Sequence, residues 1–417
     1  MSNHHSNQPF ANRSGAINRR AFIAGASAAS LQVLSSRAVH SYAANAKIKL
    51  GLIGCGGRGV WISKLFQQHG GYEITAVADY FEDRAGNYGD LFDIPAAQRF
   101  TGLSGYKRLL EKKLVDAIAI ETPPYFHPLQ AAAGVAAGVH VYVAKPIAVD
   151  VPGCLTIEES GQRATAQNLC FLIDFQTRAN PLYQEALKRV REGALGDFAF
   201  GESSYHAGNP WADQVQYMKA DPKNPANRLR AWGLDKQLSG DIITEQNIHT
   251  LDVANWIMDQ PPLQAFGSCG HKVRDDGGDC HDSFLCVFQY PNHVGISFSS
   301  RQFEGYDSSG GIKNRMYGSK GVIETEYGGE VMIRGENPYE GGNTGNIFTD
   351  GVITNIATFH RSVTEGNYTN PTVAPSVRSN LITILGRTAA YKNQTVRWED
   401  LLKDTTRLEP NFKGLKD

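Results

Sequence analysis

The sequence predicts an α/β protein in which a doubly wound parallel sheet is followed by an α+β domain built on a large, mostly antiparallel open sheet. Three observations carry this. An apolar run at residues 48–53 leads directly into Gly54, Gly56 and Gly59. From there to residue 143, short apolar runs alternate with helix-patterned stretches, as in a chain of βα units. Beyond Pro146 the texture changes to longer strands of alternating polarity with long insertions, which sets a domain boundary near residues 150–152.

The first 46 residues are a different kind of text. Arg19 and Arg20 precede Phe22 and Ile23, a small-residue run fills residues 24–31, and Ala44-Asn45-Ala46 supplies an A-x-A cleavage site. This resembles a bacterial twin-arginine signal, which implies a periplasmic or otherwise exported product and is excluded from the fold. No apolar stretch after Lys47 is long enough to span a bilayer, so no membrane association is expected once the signal is removed. A net charge of −1 over 417 residues, with no Lys/Arg run, argues against nucleic acid as a partner. The six cysteines include no C-x-x-C and their spacing suggests no disulfide framework. Cys280-His281-Asp282 invites a metal reading, but adjacent strand residues point to opposite faces and no second cluster exists, so no metal is expected.

Taken in order, Ile48, Leu50, Leu52 and Ile53 fit a buried strand, and the glycines that follow have the G-x-G-x-x-G spacing of the Rossmann dinucleotide fingerprint. The first glycine permits the tight turn, the second lets backbone approach a pyrophosphate, and the third lets the next helix pack on the strand. With 43 glycines in the chain, spacing alone is weak. It is strengthened by a helical stretch at 60–66 and a second strand at 73–78 that ends in Asp79, twenty residues beyond Gly59. An acid at that tip binds a ribose 2′-hydroxyl and repels a 2′-phosphate, so NAD is expected over NADP. Its binding residues are expected to be Gly54, Gly56, Gly57, Arg58, Gly59 and Asp79. Helices at 84–92 and 106–114 and a continuous apolar strand at 115–121 come next, then Thr122-Pro123-Pro124-Tyr125-Phe126-His127. An Ala-rich helix to residue 137 and a strand at 139–143 lead to Ala144-Lys145-Pro146. Thr122, Pro123, His127 and Lys145 all fall at carboxyl ends of strands, where ligands of such sheets bind.

This order of motifs resembles the glucose–fructose oxidoreductase and inositol dehydrogenase (Gfo/Idh/MocA) family, from Lys47 onward through most of the chain. The resemblance implies an oxidoreductase with Lys145 beside the nicotinamide and the substrate hydroxyl. The family motif is Glu-Lys-Pro, and Ala144 stands in place of the glutamate, which removes one expected cofactor or ribose contact. Arg178 and Pro181 match an arginine and a proline that the family places near the cofactor edge; a capping loop with a solvent-facing Arg178 fits the residues nearly as well.

In the second domain a connecting helix is expected at 155–168, a strand at 171–175, a helix at 182–192 and a strand at 198–205 with Tyr205 and His206 at its end. Residues 207–240 read as a long Pro/Gly/Asn-rich loop carrying Trp211, Tyr217 and Trp232. Their rings suit the C–H face of a sugar, and equally suit burial that pins the loop. Glu245 and His249 are four apart, on one side of a helical turn, and with Asp252 they match the family frame Asp-x-Gly-x-His-x-x-Asp, Asn247 replacing its glycine. Strands follow at 263–302 and a hairpin at 316–324, then a glycine-rich loop at 328–350 and an amphipathic helix at 374–392 returning beside the nucleotide domain. A homo-oligomer through the open sheet is expected.

These residues fit hydride transfer from a secondary alcohol, and the family resemblance implies that the alcohol belongs to a carbohydrate or cyclitol. His249 would take the hydroxyl proton, Lys145 would stabilise the developing charge on that oxygen, and Glu245 would orient His249 or bind a neighbouring hydroxyl. Tyr205, His206, Trp232 and Asp252 are the expected substrate contacts. The family also implies a redox-neutral alternative, in which transient oxidation acidifies a neighbouring C–H, a glycoside is eliminated, and the hydride returns.

Overall fold

A computed structural model describes residues 47–306 and 308–417; the twin-arginine reading of residues 1–46 lies outside the described residues. Six parallel strands form the first sheet: β1 (Ile48–Ile53), β2 (Tyr72–Asp79), β3 (Arg99–Thr101), β4 (Ala117–Ile120), β5 (His140–Ala144) and β6 (Phe171–Asp174), in the order β3-β2-β1-β4-β5-β6. Helices α1 (Gly57–His69), α2 (Glu82–Leu91), α3 (Gly105–Glu111), α4 (His127–Ala137) and α5 (Val151–Ala166) make the connections. Every residue of β4, β5 and β6 is buried, as expected for strands covered on both faces. The sheet does not finish at residue 150: α5, capped by Asp150 accepting from the Gly153 amide, leads back to β6. The order reverses between β1 and β4, which opens a crevice at their carboxyl ends.

After α6 (Pro181–Arg191) comes β7 (Phe198–Ala207), which joins a nine-stranded sheet. Helices α7 (Asp241–Glu245) and α8 (Ile248–Met258) precede β8 (Gln264–Gly270), β9 (Ser283–Gln289), β10 (Gly295–Gln302), β11 (Gly311–Gly318), β12 (Gly321–Glu326), β13 (Glu330–Gly335) and β14 (Tyr339–Asn343). The pair β7/β10 is parallel and the others are antiparallel. Helix α9 (Ile347–Glu365) follows, then α10 (Val373–Lys392) and the short edge strand β15 (Val396–Arg397). Helices α6, α8 and α10 pack on this sheet, and Phe200, Phe266, Leu285 and Val287 remain exposed along its strands. Asn380 of α10 accepts from the Ile147 amide (3.1 Å) and donates to Ala148 O (3.1 Å), so the helix is tied to the residues just after Lys145-Pro146.

Two expectations are corrected. Residues 328–350 are not loop but hold β13, β14 and the first turn of α9. Their glycines serve strand geometry: Gly341 has φ +58, and a Cβ there would lie 1.7 Å from Val331 O, beside a register shift in the β13/β14 pair. Residues 207–240 contain short helices at Val215–Ala220, Pro225–Arg230 and Lys236–Ser239. Asn and Pro, which suggested loop, start the second of these helices, with the Asn224 side chain capping it and Pro225 in its first turn, and the Asp235 side chain caps the third.

Candidate active site

A cavity of about 660 Å³ lies at the carboxyl ends of β4 and β5, walled by Arg58, Lys145, Tyr205, Trp232, Glu245 and His249 among others. A smaller lobe of about 80 Å³ continues past Gly54, Asp79, Phe81 and Pro123. Both are lined by Gly56, Arg84, Glu121, Thr122 and Trp232, so they form one cleft across the switch point.

The turn after β1 fits a dinucleotide on its own geometry. Gly54 has φ +101, and a Cβ there would lie 2.7 Å from the Glu121 carbonyl; a Cβ on Gly59 would lie 1.9 Å from Gly54 O. The backbones therefore touch only because side chains are absent. Helix α1 begins after Gly56 with no side-chain cap and no acid in its first turn, leaving its first N–H groups and positive dipole end for an anion. Asp79 accepts from the Cys55 amide (2.7 Å) and the Phe81 amide (2.8 Å). Burial raises its pKa and those two amides oppose the rise.

Arg58 lines the cavity and is paired with two carboxylates. Its Nε donates to Glu121 (2.8 Å) and its Nη2 to Asp174 (2.5 Å), and both carboxylates are buried. Asp174 also accepts from Asn355 (2.7 Å). Burial pushes the Glu121 carboxyl up to about 7, with Arg58 pulling it back. Trp61 and Phe348 stack on each other (4.7 Å between centroids) beside the Arg58 guanidinium and add a wall to the cavity. His127 is buried and braces two turns: Nδ1 lies 2.8 Å from Pro146 O and Nε2 2.7 Å from Thr122 O. Two carbonyl partners would favour an imidazolium, but burial prevails and takes the pKa to about 4, so the ring is neutral at pH 7 and donates to one carbonyl only. Thr122 donates to Gln130 (2.7 Å).

Lys145 Nζ donates to the Glu245 backbone oxygen (2.7 Å) and to Glu245 Oε1 (3.1 Å). Burial lowers its pKa, and Glu245 works against the fall. Gln246 Nε2 donates to Glu245 Oε2 (2.5 Å) and Tyr205 Oη donates to Gln246 Oε1 (2.6 Å), which makes a relay Tyr205–Gln246–Glu245–Lys145 along the cavity wall. The expectation that Glu245 and His249 share a helical turn is corrected, since α7 stops at Glu245 and α8 starts at Ile248. Glu245 serves Lys145 and not His249. His249 Nδ1 has no hydrogen-bond partner among the described residues. Burial takes its pKa well below the usual 6.5, with Lys145 and Arg58 lowering it further.

Of the sequence-derived site residues, Gly54, Gly56, Gly57, Arg58, Asp79, Thr122, Pro123, His127, Lys145, Tyr205, Trp232, Glu245 and His249 line the cleft. Arg178 and Asp252 do not. They pair with each other through Nε (3.0 Å) and Nη2 (2.8 Å), with the guanidinium over Trp256. His206 lies outside the lining and meets Ser299 (3.1 Å) on the neighbouring strand β10. Gly59 acts through packing alone. Sequence reasoning missed Trp61, Glu121, Gln246, Tyr327 and Phe348. Trp61, one turn beyond Arg58, was open to inference; Phe348 joins from α9, far along the chain, with no local signal.

Two family descriptions match the chain: "Oxidoreductase family, NAD-binding Rossmann fold" over residues 48–170 and "GFO/IDH/MocA C-terminal domain" over residues 183–324. A glycosyl hydrolase family 109 protein of Shewanella pealeana is 29% identical over 162 residues, 38% of this chain and 35% of that protein. The chain thus matches only about a third of the length of that relative. The inositol 2-dehydrogenase of Rhizobium meliloti is 24% identical over 299 residues, 69% of this chain and 78% of that protein. Among solved structures, the aldose-aldose oxidoreductase from Caulobacter crescentus complexed with glycerol has the same fold, with a TM-score of 0.65 at 18% identity over 84% of this chain and 99% of that one.

Proposed function

The chain belongs to the GFO/IDH/MocA oxidoreductase family, and on that premise we propose that it is an NAD-dependent oxidoreductase acting on a secondary hydroxyl of a sugar, glycoside or cyclitol, with NAD held tightly. The observation that carries the reading is one cleft in which a glycine turn fitted to a dinucleotide faces Lys145, Glu245 and His249. The kinds of relatives, an inositol 2-dehydrogenase and an aldose-aldose oxidoreductase, support a polyhydroxylated substrate.

Gly54, Gly56, Gly57 and the first turn of α1 would hold the dinucleotide, with Asp79 at the ribose; when bound, NAD supplies the hydride acceptor. The chain's own residues handle the proton. His249, neutral because it is buried, accepts it from the substrate hydroxyl. Lys145 has three N–H donors and gives two to Glu245, leaving one for the same substrate oxygen, whose developing charge it stabilises. The Glu245–Gln246–Tyr205 relay fixes the ammonium in place. Trp211 and Trp232, with ring centroids 4.6 Å apart, and the nearby Asp213 and Gln216 offer an apolar face and a polar edge to a ring-shaped polyol.

The similarity to a glycosyl hydrolase family 109 protein favours one second reading, redox-neutral glycoside cleavage. A single glycoside added to NAD-loaded protein separates the two. One turnover with NADH accumulating supports the oxidoreductase, whereas continuous sugar release without net absorbance change supports cleavage. Loss of NADH binding altogether would overturn both. The paired arginines near residue 20 support export, with NAD acquired before export and retained, and the exposed apolar residues of the nine-stranded sheet support self-association; fractionation and light scattering test these.

A further inference from the structure

The segment at residues 405–417 forms no helix or strand, and its last residues pack against the outer side of residues that line the smaller lobe of the cleft, without lining it themselves. Phe412 stacks on Phe126 (5.6 Å between centroids, 19°) and meets Tyr125 edge-on (5.5 Å). Leu415 joins the apolar cluster of Phe81, Leu229 and Leu238. The Leu103 amide donates to Lys416 O (3.1 Å), the Lys416 amide to the Tyr80 hydroxyl (3.3 Å), and Ser104 Oγ to Asp417 Oδ1. Gly102 has φ +83, and a Cβ there would come 2.6 Å from Asp417 O, so the segment lies flat only over a glycine. Tyr80, Phe81, Leu103 and Phe126 are all residues of the lobe wall. Upstream, the Leu408 amide donates to Asp150 (2.9 Å), an anchor at the start of α5.

We infer that residues 409–417 form a strap that gates the adenosine end of the cleft and sets how long the dinucleotide stays bound. The inference rests on the NAD reading above. The strap holds the rim through a few ring contacts and three hydrogen bonds, so it opens by local unfolding at far lower free energy than the sheet beneath it. Because it grips the residues of the wall and not the space inside, it controls entry and exit together more than the equilibrium between them. Such a gate suits an enzyme that recycles one bound nucleotide.

The test is a tether in the 417-residue chain. Ser104 and Asp417 already touch, so Ser104→Cys with Asp417→Cys closes the strap by a disulfide that reductant reopens. NADH uptake, and its release under a chase of excess NAD, are followed by nucleotide fluorescence in both redox states. The oxidised protein should exchange NADH at least about tenfold more slowly in both directions than the same protein reduced. Phe412→Ala with Leu415→Ala should speed both rates by about tenfold while Kd moves by less than about threefold; this variant decides if the disulfide does not close. Equal rates in the two redox states, with the bond verified by mass, would overturn the strap while NADH binding kept the cofactor reading intact. Faster release with unchanged uptake would also overturn it, since that is the mark of a passive wall. Failure of every form to bind NADH would overturn strap and cofactor reading together.

Discussion

Replacing Glu245 by glutamine should destabilise the protein in a way that depends on pH, and both the size and the sign follow from the Lys145 pair. The two side chains are 9% and 6% exposed. Removing one member of such a buried pair leaves an uncompensated charge and costs about 3–5 kcal/mol. Glutamine keeps an amide oxygen near Nζ, and the Glu245 backbone oxygen still accepts at 2.7 Å, so the lower end, about 3 kcal/mol, is expected at pH 7. Lys145 already has a folded-state pKa below its unfolded one, and Glu245 is the group that holds it up. Losing Glu245 lowers it further. Between the folded pKa and about 10.4 the unfolded chain then binds more protons than the folded one, so stability rises with pH across that window. The deficit of Glu245→Gln should therefore be largest at neutral pH and shrink on approach to pH 10. Denaturant titrations of both proteins from pH 6 to pH 10 measure it. Combining the change with Lys145→Met should recover most of the loss, because no buried charge is left. A deficit flat across that range, or a double variant as unstable as the single one, would refute the pairing argument.

His249→Ala should lower turnover by at least about a hundredfold, the low end for general acid–base participation, with NADH binding retained in fluorescence titrations. Asp79→Ala should narrow the NAD/NADP ratio of dissociation constants by removing a charge opposed to a 2′-phosphate, and should cost about 1–3 kcal/mol from the Cys55 and Phe81 amides it satisfies. Arg178→Ala leaves Asp252 buried with Ser379 as its remaining partner, so stability should fall by about 3 kcal/mol while NADH affinity stays within about twofold; a large affinity loss would return Arg178 to the cofactor site. His127 titrates near 4 when folded and near 6.5 when unfolded, so it contributes stability that is present above about pH 6.5 and lost as pH falls towards 4. The slope of unfolding free energy over that range should flatten in His127→Gln.

How much of this was legible in the sequence depends on the reach of the interaction. The first sheet was legible because each βα unit declares itself locally: an apolar run, a glycine or polar turn, then a helical period. Asp79, Thr122 and Lys145 could be placed at strand ends by counting alone. Pairings were not legible. Arg58 finds Glu121 and Asp174 at separations of 63 and 116 residues, and Arg178 finds Asp252 at 74. Nothing local distinguishes an arginine that will meet a phosphate from one that will meet a carboxylate. The glycines of β13 and β14 misled for a different reason, since a residue that permits a loop also permits a bulged strand.

The same long-range pairings explain how the chain accommodates alanine at position 144. Ala144 is registered with Asp174 on β6, and Glu121 follows Ile120, the residue registered with Val143. Registered residues of parallel neighbours point to the same face, so two carboxylates flank the Ala144 methyl and the Arg58 guanidinium joins them through 2.8 and 2.5 Å contacts. A glutamate at 144 would add a third carboxylate to a buried site with one guanidinium, and burial already lifts Glu121 to about 7. The alanine is thus the small residue that leaves room for the Arg58 bridge. Negative charge beside Lys145 is not lost but moved, to Glu245 in direct contact and to Asp174 nearby. The cleft keeps the Lys145 cation in place by a different set of carboxylates from the one the Glu-Lys-Pro motif implies.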